Sequence, residues 1–512
     1  MVAKGFDVVY SDFSGGHFIG RIGTQQPANT YDGPNVGVCQ TDGTLLPLKA
    51  FYDATGAISG NTAANTSRPF LDPASGRIVW AGDTTAYAIT NVGSAPPLGI
   101  STAAVTVAVL PNSLPAAFNG QVVFPASVTN NIVRLTASTM TPTTTAVGFL
   151  PNVLCSYGNF LMAATATNRV YFSNPGTAAT WTIATDFFDV GDPGTVIAGM
   201  CVHQGSLMIA TSIGMWALTG IPGQTASLRQ LTTVPFTEPF SIDSSIVRSF
   251  GVYGAAVSEL AGTTQRSLNY GLAPDGRPAL LAGAGGGRFN TAMAFAYSDI
   301  GSVTDEGGVV TDLGSTMWVL DFYNGQWVRR QVTTAPVRMG SGQSTYAHLF
   351  YRSGSPDAES MWLAPAYAND LVSNSDGSPA TGTAKLAEHF EKYPFRVKEI
   401  LCEVDYGSRQ TVFDTAGGAA AYAAANRSIS VMVATPSTPI EASVDLSLAR
   451  ATSSTMSQTL PQVTVAGANY TRRRNFVRFA PTDGTDTYVA QPVVTLTGVK
   501  LRRLILRCEW AS

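Results

Sequence analysis

The chain has 512 residues, room for two or three domains, and only 13% of them are charged against roughly 25% in an ordinary soluble domain. Gly (50) and Pro (29) are abundant while 45% of residues are apolar, which excludes disorder and favours many short strands and turns. Net charge is −3, divided as +4 over residues 385–512 and −7 over 1–384, which fits either ordinary variation between domains or two parts that face different partners.

Residues 1–70 read as an extended N-terminal arm. Asp12-Phe13-Ser14-Gly15-Gly16-His17 and Asn35-Val36-Gly37-Val38 are set between Gly-, Pro- and Asn-rich segments, with a few short strands at most. Such an arm is expected to pack against another domain or a neighbouring subunit. The N-terminus lacks an apolar h-region, so no secretory leader is expected, and no run of 18 apolar residues offers a membrane span.

From 71 to 370 strand signals recur. Gly76–Gly82 leads to Ala86–Ile89, and Val105–Val109 to Gly120–Phe124 and Asn131–Leu135. Leu154–Thr165 and Met200–Thr211 then copy each other 46 residues apart. Each copy is an apolar strand, a Gly-bearing turn and a second apolar strand, followed by Arg169–Phe172 or Met215–Leu218. A period of roughly 40–50 residues built from short strands is the spacing of a β-propeller blade, so about six blades are expected. Asn324-Gly325 between two apolar runs predicts a hairpin. Trp181, Trp216, Trp318 and Trp327 are expected to be largely buried.

Residues 370–384 are polar and read as a linker. The Ala-rich piece Ala416–Ala425 fits a short helix or a long loop, with loop preferred. Beyond the linker, over 385–512, apolar residues alternate: Ile400, Cys402, Val404, Tyr406; Ile429, Val431, Val433; Val477, Phe479; Leu504, Leu506, Cys508, Trp510. A period of two in separate segments indicates an antiparallel β-sandwich-like domain with one buried face per sheet. The fold class is therefore all-β: arm, propeller and C-terminal sandwich.

Chemistry-bearing residues are sparse. His17, His203, His348 and His389 have no metal-ligand spacing, and Cys39, Cys155, Cys201, Cys402 and Cys508 contain no CxxC pair. Cys155 and Cys201 occupy equivalent repeat positions, so they read as core residues and the thiols as free. Gly283–Arg288 lacks the strand–Gly–helix context of a phosphate site and reads as a flexible loop. Asp186, Asp189 and Asp192 fit a solvated loop, a weak calcium site or carboxylates at the mouth of a propeller. Arg472, Arg473, Arg474 and Arg478, with Arg502, Arg503 and Arg507, make the C-terminal region positive. Alternation sends Arg503 and Arg507 to the face opposite Leu504 and Leu506, where they could meet phosphate, an acidic neighbouring subunit or water. No catalytic residue, metal or cofactor is assigned.

Three passages resemble one family. Asp12–Gly16 with Asn35-Val36 and Thr41–Leu45 is similar to an FSGG…N…DG arm. Val170–Gly176 with Thr180-Trp181 is similar to a YxSxPGxxxxW turn, itself like the Asp-box of sialidase-type propellers without its Asp. Gly199–Gly220 is similar to a G…GxLxxxTxxGxWxLTG blade. Together they resemble the propeller-containing nozzle or head-closure (DNA-stabilisation) tail proteins of short-tailed bacteriophages. The resemblance implies a structural protein of the virion tail, assembled in the host cytoplasm. It would form a ring, expected to be a homohexamer, that extends the DNA channel below the portal and adaptor and anchors fibres or a plug. Viral DNA would pass without sequence-specific binding. It carries over no catalytic residue, and with no nucleophile, acid–base pair or metal set placed in the sequence no enzyme activity is expected. The Arg472–Arg474 segment and Arg478 are the expected subunit contact. The alternatives are a propeller glycosidase or a carbohydrate-binding adhesin acting on host polysaccharide.

Overall fold

A computed structural model describes most of residues 5–89 and 99–236, the course of the strands between 243 and 365, residues 380–405, the strands 428–434, 444–447, 463–465, 468–470 and 474–479, and residues 486–511. All the described secondary structure is β, and no helix among these residues is long and apolar enough to cross a membrane. The chain divides into two units, 51–319 with 332–366, and 1–50 with 320–331 and 367–512.

The first unit is built of four-stranded sheets in which the chain meanders from the first strand to the fourth. The first sheet holds Phe70–Leu71, Ile78–Ala81, Thr85–Ile89 and Ile100–Ala104. The second holds Ala116–Phe118, Gln121–Pro125, Asn131–Thr136 and Thr141–Ala146. The third holds Val153–Tyr157, Phe160–Ala164, Arg169–Phe172 and Phe187–Asp189, and the fourth Ile197–His203, Ser206–Thr211, Gly214–Thr219 and Ser227–Thr232. Three more four-stranded sheets are found among the described residues, beginning at Asp243–Ser244, Gly286–Phe289 and Pro336–Met339. The last of these takes its fourth strand from far upstream: Tyr52–Asp53 pairs antiparallel with Ala358–Pro365, at Trp362 and Leu363. This is propeller-type architecture.

The 46-residue repeat is a repeat in space. Cys155 is paired with Met162, and Cys201 with Met208. The second copy turns through Gln204-Gly205, both at positive φ (48° and 76°), as a type I′ hairpin requires. The strand Phe160–Ala164 is apolar throughout because both its faces are covered. Leu161 and Ala163 pack with Val123 and Ile132 of the second sheet, while Met162 and Ala164 pack with Met200 and Ile209 of the fourth. Val122 and Phe124 pack instead with Val79 and Ala88 of the first sheet. Fourth strands have no such double cover, and Thr141–Ala146 is polar and largely exposed. Trp181 and Trp216, expected to be largely buried, are both half-buried, because they flank the inter-sheet layers rather than filling them. The fully buried Trp of this part is Trp80. The side chains of Trp318 and Trp327 lie outside the described residues.

In the second unit twelve strands join through hydrogen bonds around one core. His389–Asp405 is the longest strand, with Lys500–Trp510 antiparallel on one side. Its other side is shared by Thr487–Thr497 near the start and Arg474–Phe479 near the end. Of the alternating residues read from sequence, Ile400, Cys402, Val404, Ile429, Val431, Leu504, Leu506 and Cys508 are 0–3% exposed, Val433 is 9% exposed and Trp510 is half-buried, while Tyr406 and the side chains of Val477 and Phe479 lie outside the described residues. The polar linker ends sooner than expected, because Thr381–Leu386 is already a strand of this unit. The Ala-rich piece Ala416–Ala425 lies outside the described residues.

The N-terminal segment belongs to this core. Gly5–Tyr10 pairs antiparallel with Lys500–Trp510, and Tyr10, Phe13, Tyr31, Val36, Val38 and Leu45 are buried with the C-terminal strands. The Tyr10 hydroxyl donates to the Ala387 carbonyl at 2.9 Å. Docking requires glycine at one crossing: a Cβ on Gly382 would lie 2.2 Å from the Asn35 carbonyl oxygen. Gly382→Ala is expected to cost about 1–3 kcal/mol, read as a lower denaturation midpoint of this unit.

Candidate functional site

The charged face of the C-terminal sheet is where the sequence places its one interface candidate. Strand order here is Gly5–Tyr10, Lys500–Trp510, His389–Asp405, Arg474–Phe479. Alternation turns Leu504, Leu506 and Cys508 to the core and leaves the intervening residues outside. Arg507 is in register with Asp7 on one side and Glu399 on the other. Its Nη1 donates to Glu399 Oε2 at 2.7 Å, and its Nε lies 3.9 Å from Asp7 Oδ1. Arg503 is in register with Glu403, 3.4 Å away. Lys398 reaches Glu509 at 3.3 Å, and Arg396 pairs with Asp486. Arg503 and Arg507 therefore meet acids of their own chain, which lowers their value as a phosphate-binding row.

These pairs differ in weight. Glu399 is buried, so removing its partner leaves a carboxylate short of a charged donor. Arg507→Ala is expected to cost about 1–3 kcal/mol. Arg503→Ala is expected to cost less than about 1 kcal/mol, because that pair is longer, 3.4 Å against 2.7 Å. Urea midpoints of the two variants decide the order.

Of the expected contact residues, Arg472 and Arg473 lie outside the described residues. Arg474 and Arg478 lie on the strand Arg474–Phe479, in backbone register with Asp405 and Leu401. Among the described residues this strand is paired on one side only, with His389–Asp405.

The three aspartates do not converge. Asp189 makes a two-pronged ion pair with Arg169 (2.7 and 3.0 Å), whose guanidinium lies 3.9 Å over the Phe187 ring. The hydrogen bonds from Arg169 hold the Asp189 carboxyl below the usual carboxylate range. Asp186 accepts from the Thr185 hydroxyl, and Asp192 gives its backbone carbonyl to Thr195. Among the described residues no three His, Cys, Asp or Glu side chains gather as a metal site. The turn Ser173–Trp181 is a structural joint: Ser173 Oγ accepts from Leu161 N–H (3.0 Å), and Trp181 Nε1 donates to the Ala178 carbonyl (3.0 Å). Gly286–Phe289, expected to be part of a flexible loop, is a strand paired with Ala292–Tyr297.

All five cysteines are free thiols. Burial pushes Cys402 and Cys508 up to about 12, with Asp7 and Glu391 adding to the effect at Cys508. Neither is a thiolate at pH 8, so both are expected to resist a thiol reagent in the native protein and to react on unfolding.

Sequence reasoning missed three exposed aromatic residues. Phe390, Tyr393 and Tyr488 are 66%, 63% and 53% exposed. They flank a bulge, where the register with Thr487–Thr497 slips between Phe390 and Phe395. Tyr393 lies edge-on to Trp510 with ring centroids 6.4 Å apart, and Trp510 packs in turn on Phe6 at 4.5 Å. The signal was available as a break in alternation at Glu391–Pro394.

No family model and no curated protein matches the chain. Among solved structures it is similar to a streptogramin B lyase, with 11% identity over 61% of this chain and 97% of that one, at a TM-score of 0.43. It is similar also to the WD40 repeats of RRP9 (11% identity, 62% and 99% covered, TM-score 0.43). BamB from Moraxella catarrhalis is a third (13% identity, 67% and 97% covered, TM-score 0.37).

Proposed function

We propose that this chain is a structural protein of a short-tailed phage tail, a nozzle subunit that forms a ring, extends the DNA channel and anchors fibres or a plug. Its main support is where the resembling residues sit. Phe13 of the arm is 2% exposed in the core of the second unit, Ser173 of the turn is 0% exposed, and Leu207, Ile209 and Met215 of the blade passage are fully buried. The residues that carry the resemblance are spent on architecture, as a rigid part of a large assembly requires. The ring of blades is seven-fold in this reading, one more than the sequence count of about six. Tyr52–Asp53 would fasten the last blade. Val79 and Ala81 pack toward the second sheet, yet Trp80 and Tyr87 on the opposite face of the first sheet are also buried, as closure of such a ring demands. The C-terminal unit is the sandwich that holds subunits together, with Arg472, Arg473, Arg474 and Arg478 at the contact and a hexamer as the expected copy number. Portal, adaptor, fibre or plug proteins and passing DNA are its partners, and the virion tail is its place.

Electron microscopy of the purified chain tests this reading: rings with a central hole support it, and isolated globules under all conditions reject it. Arg472→Glu, Arg473→Glu and Arg474→Glu together are expected to block assembly while leaving the thiol protection of Cys402 and Cys508 intact. One observation favours a carbohydrate-binding adhesin as a second reading: Phe390, Tyr393 and Tyr488 offer exposed rings of the kind on which sugars stack. Binding to a glycan array lost on Tyr393→Ala would favour that reading. Polysaccharide turnover abolished by Ala at Asp186, Asp189 or Asp192 would favour a glycosidase instead.

A further inference from the structure

The four-strand run of the C-terminal unit has two ends. Among the described residues Gly5–Tyr10 pairs only with Lys500–Trp510, and Arg474–Phe479 only with His389–Asp405. All three pairings along the run are antiparallel, so the two end strands point in opposite directions. Rotation about an axis along the strands keeps those directions. It would set one copy's Arg474–Phe479 beside the next copy's Gly5–Tyr10 with the antiparallel polarity that pairing needs.

We propose that copies of this chain join edge to edge, the strand Arg474–Phe479 of one pairing with the strand Gly5–Tyr10 of the next, so that the sheet closes around the ring. The inference rests on the ring reading above and names its interface. Charge selects this pairing over others. Arg474–Phe479 carries two arginines and no acid, whereas Gly5–Tyr10 carries Asp7 and no base. Two copies of Arg474–Phe479 side by side would bring like charges together, which disfavours a two-fold contact at that edge. Gly5–Tyr10 also leaves Val9 51% exposed at the end of a sheet, a β-branched apolar residue on an edge that invites a further strand. A head-to-tail contact of this kind uses a different patch on each copy and builds a ring when the rotation closes, after which no edge remains.

Disulfide scanning of the full chain tests it. Asp7→Cys or Val9→Cys is combined in one chain with Arg474→Cys or Arg478→Cys, and the protein is oxidised and run under denaturing conditions without reductant. At least one combination is expected to give a ladder of covalent oligomers ending at the copy number of the ring. Mixing a chain carrying only Val9→Cys with one carrying only Arg478→Cys is expected to stop at a dimer. Retained protection of Cys402 and Cys508 certifies that each variant is folded. If native mass spectrometry finds rings and no combination cross-links, the edge pairing is wrong while the ring reading stands. If Val9→Cys alone cross-links to itself, the contact is two-fold and the pairing is wrong. If no ring forms with wild-type chain, the ring reading fails and takes the interface with it.

Discussion

Deleting residues 1–48 is expected to abolish folding of the C-terminal unit. Tyr10, Phe13, Tyr31, Val36, Val38 and Leu45 are 0–7% exposed in one core with Ile400, Cys402, Leu504 and Leu506. Burying such side chains stabilises by about 1.5–3 kcal/mol each, so their loss removes on the order of 10 kcal/mol. A whole domain has a net stability of only about 5–15 kcal/mol. The deletion also strips Lys500–Trp510 of the strand paired along Leu504–Glu509. Lys500–Trp510 would then present an unpaired edge along this stretch, which invites aggregation. Thiol labelling reads the result directly: Cys402 and Cys508, shielded in the full chain, are expected to react at pH 8 in the 49–512 fragment. If they stay protected there, the N-terminal segment is an appendage and not part of this core. The same logic sets the boundaries of a propeller fragment. It has to begin before Tyr52, because a fragment starting at residue 70 lacks the fourth strand of the last sheet.

That dependence was half legible. The sequence marks 1–70 as unable to bury itself, and ordering backbone costs about 1–2 kcal/mol per residue. What covers it was not legible, since strands of two or three residues have no period to read. Val36–Val38 and Leu45–Pro47 are buried at every position, which in sequence looks the same as an apolar loop. Tyr52–Asp53 is shorter still, and its partners Trp362 and Leu363 lie far downstream. By contrast the C-terminal strands were readable residue by residue. One face is core and the other bears charge, so Ile400, Cys402 and Val404 alternate with Glu399, Leu401 and Glu403. The 46-residue repeat was readable because both copies keep a Gly-bearing two-residue turn between apolar strands, with Gly158 first in one turn and Gly205 second in the other. The interface candidates stand between these cases. Arg474 and Arg478 fall on a strand that, among the described residues, is a sheet edge, which alternation alone could not reveal, because an edge is a property of pairing and not of a single strand. Phe390 and Tyr393 sit where a bulge resets the parity on which the reading depends, a break that the sequence shows at Glu391–Pro394.

Trp80→Ala is expected to be the most damaging single substitution in the first four sheets. Trp80 is 0% exposed and heads the fully buried side chains by volume. It lies opposite Tyr87 in the register of the first sheet, and the two rings stack with centroids 5.3 Å apart and planes 10° from parallel. Truncating a buried aromatic of this size costs about 3–5 kcal/mol, because the neighbours collapse only partly into the space. The lost ring pair adds about 0.5–1.5 kcal/mol. Trp80→Phe keeps most of the volume and a ring, so a cost of about 1–2 kcal/mol is expected. Trp216, the residue that the repeat singles out, is half-buried, and Trp216→Ala is expected to cost about 1–2 kcal/mol. Urea midpoints at constant slope measure all three. The order Trp80→Ala, then Trp80→Phe and Trp216→Ala together, follows from cover on both faces of the first sheet. A smaller loss at Trp80 than at Trp216 would mean that the far face of the first sheet opens to water in solution, and the seven-bladed closure would fall with it.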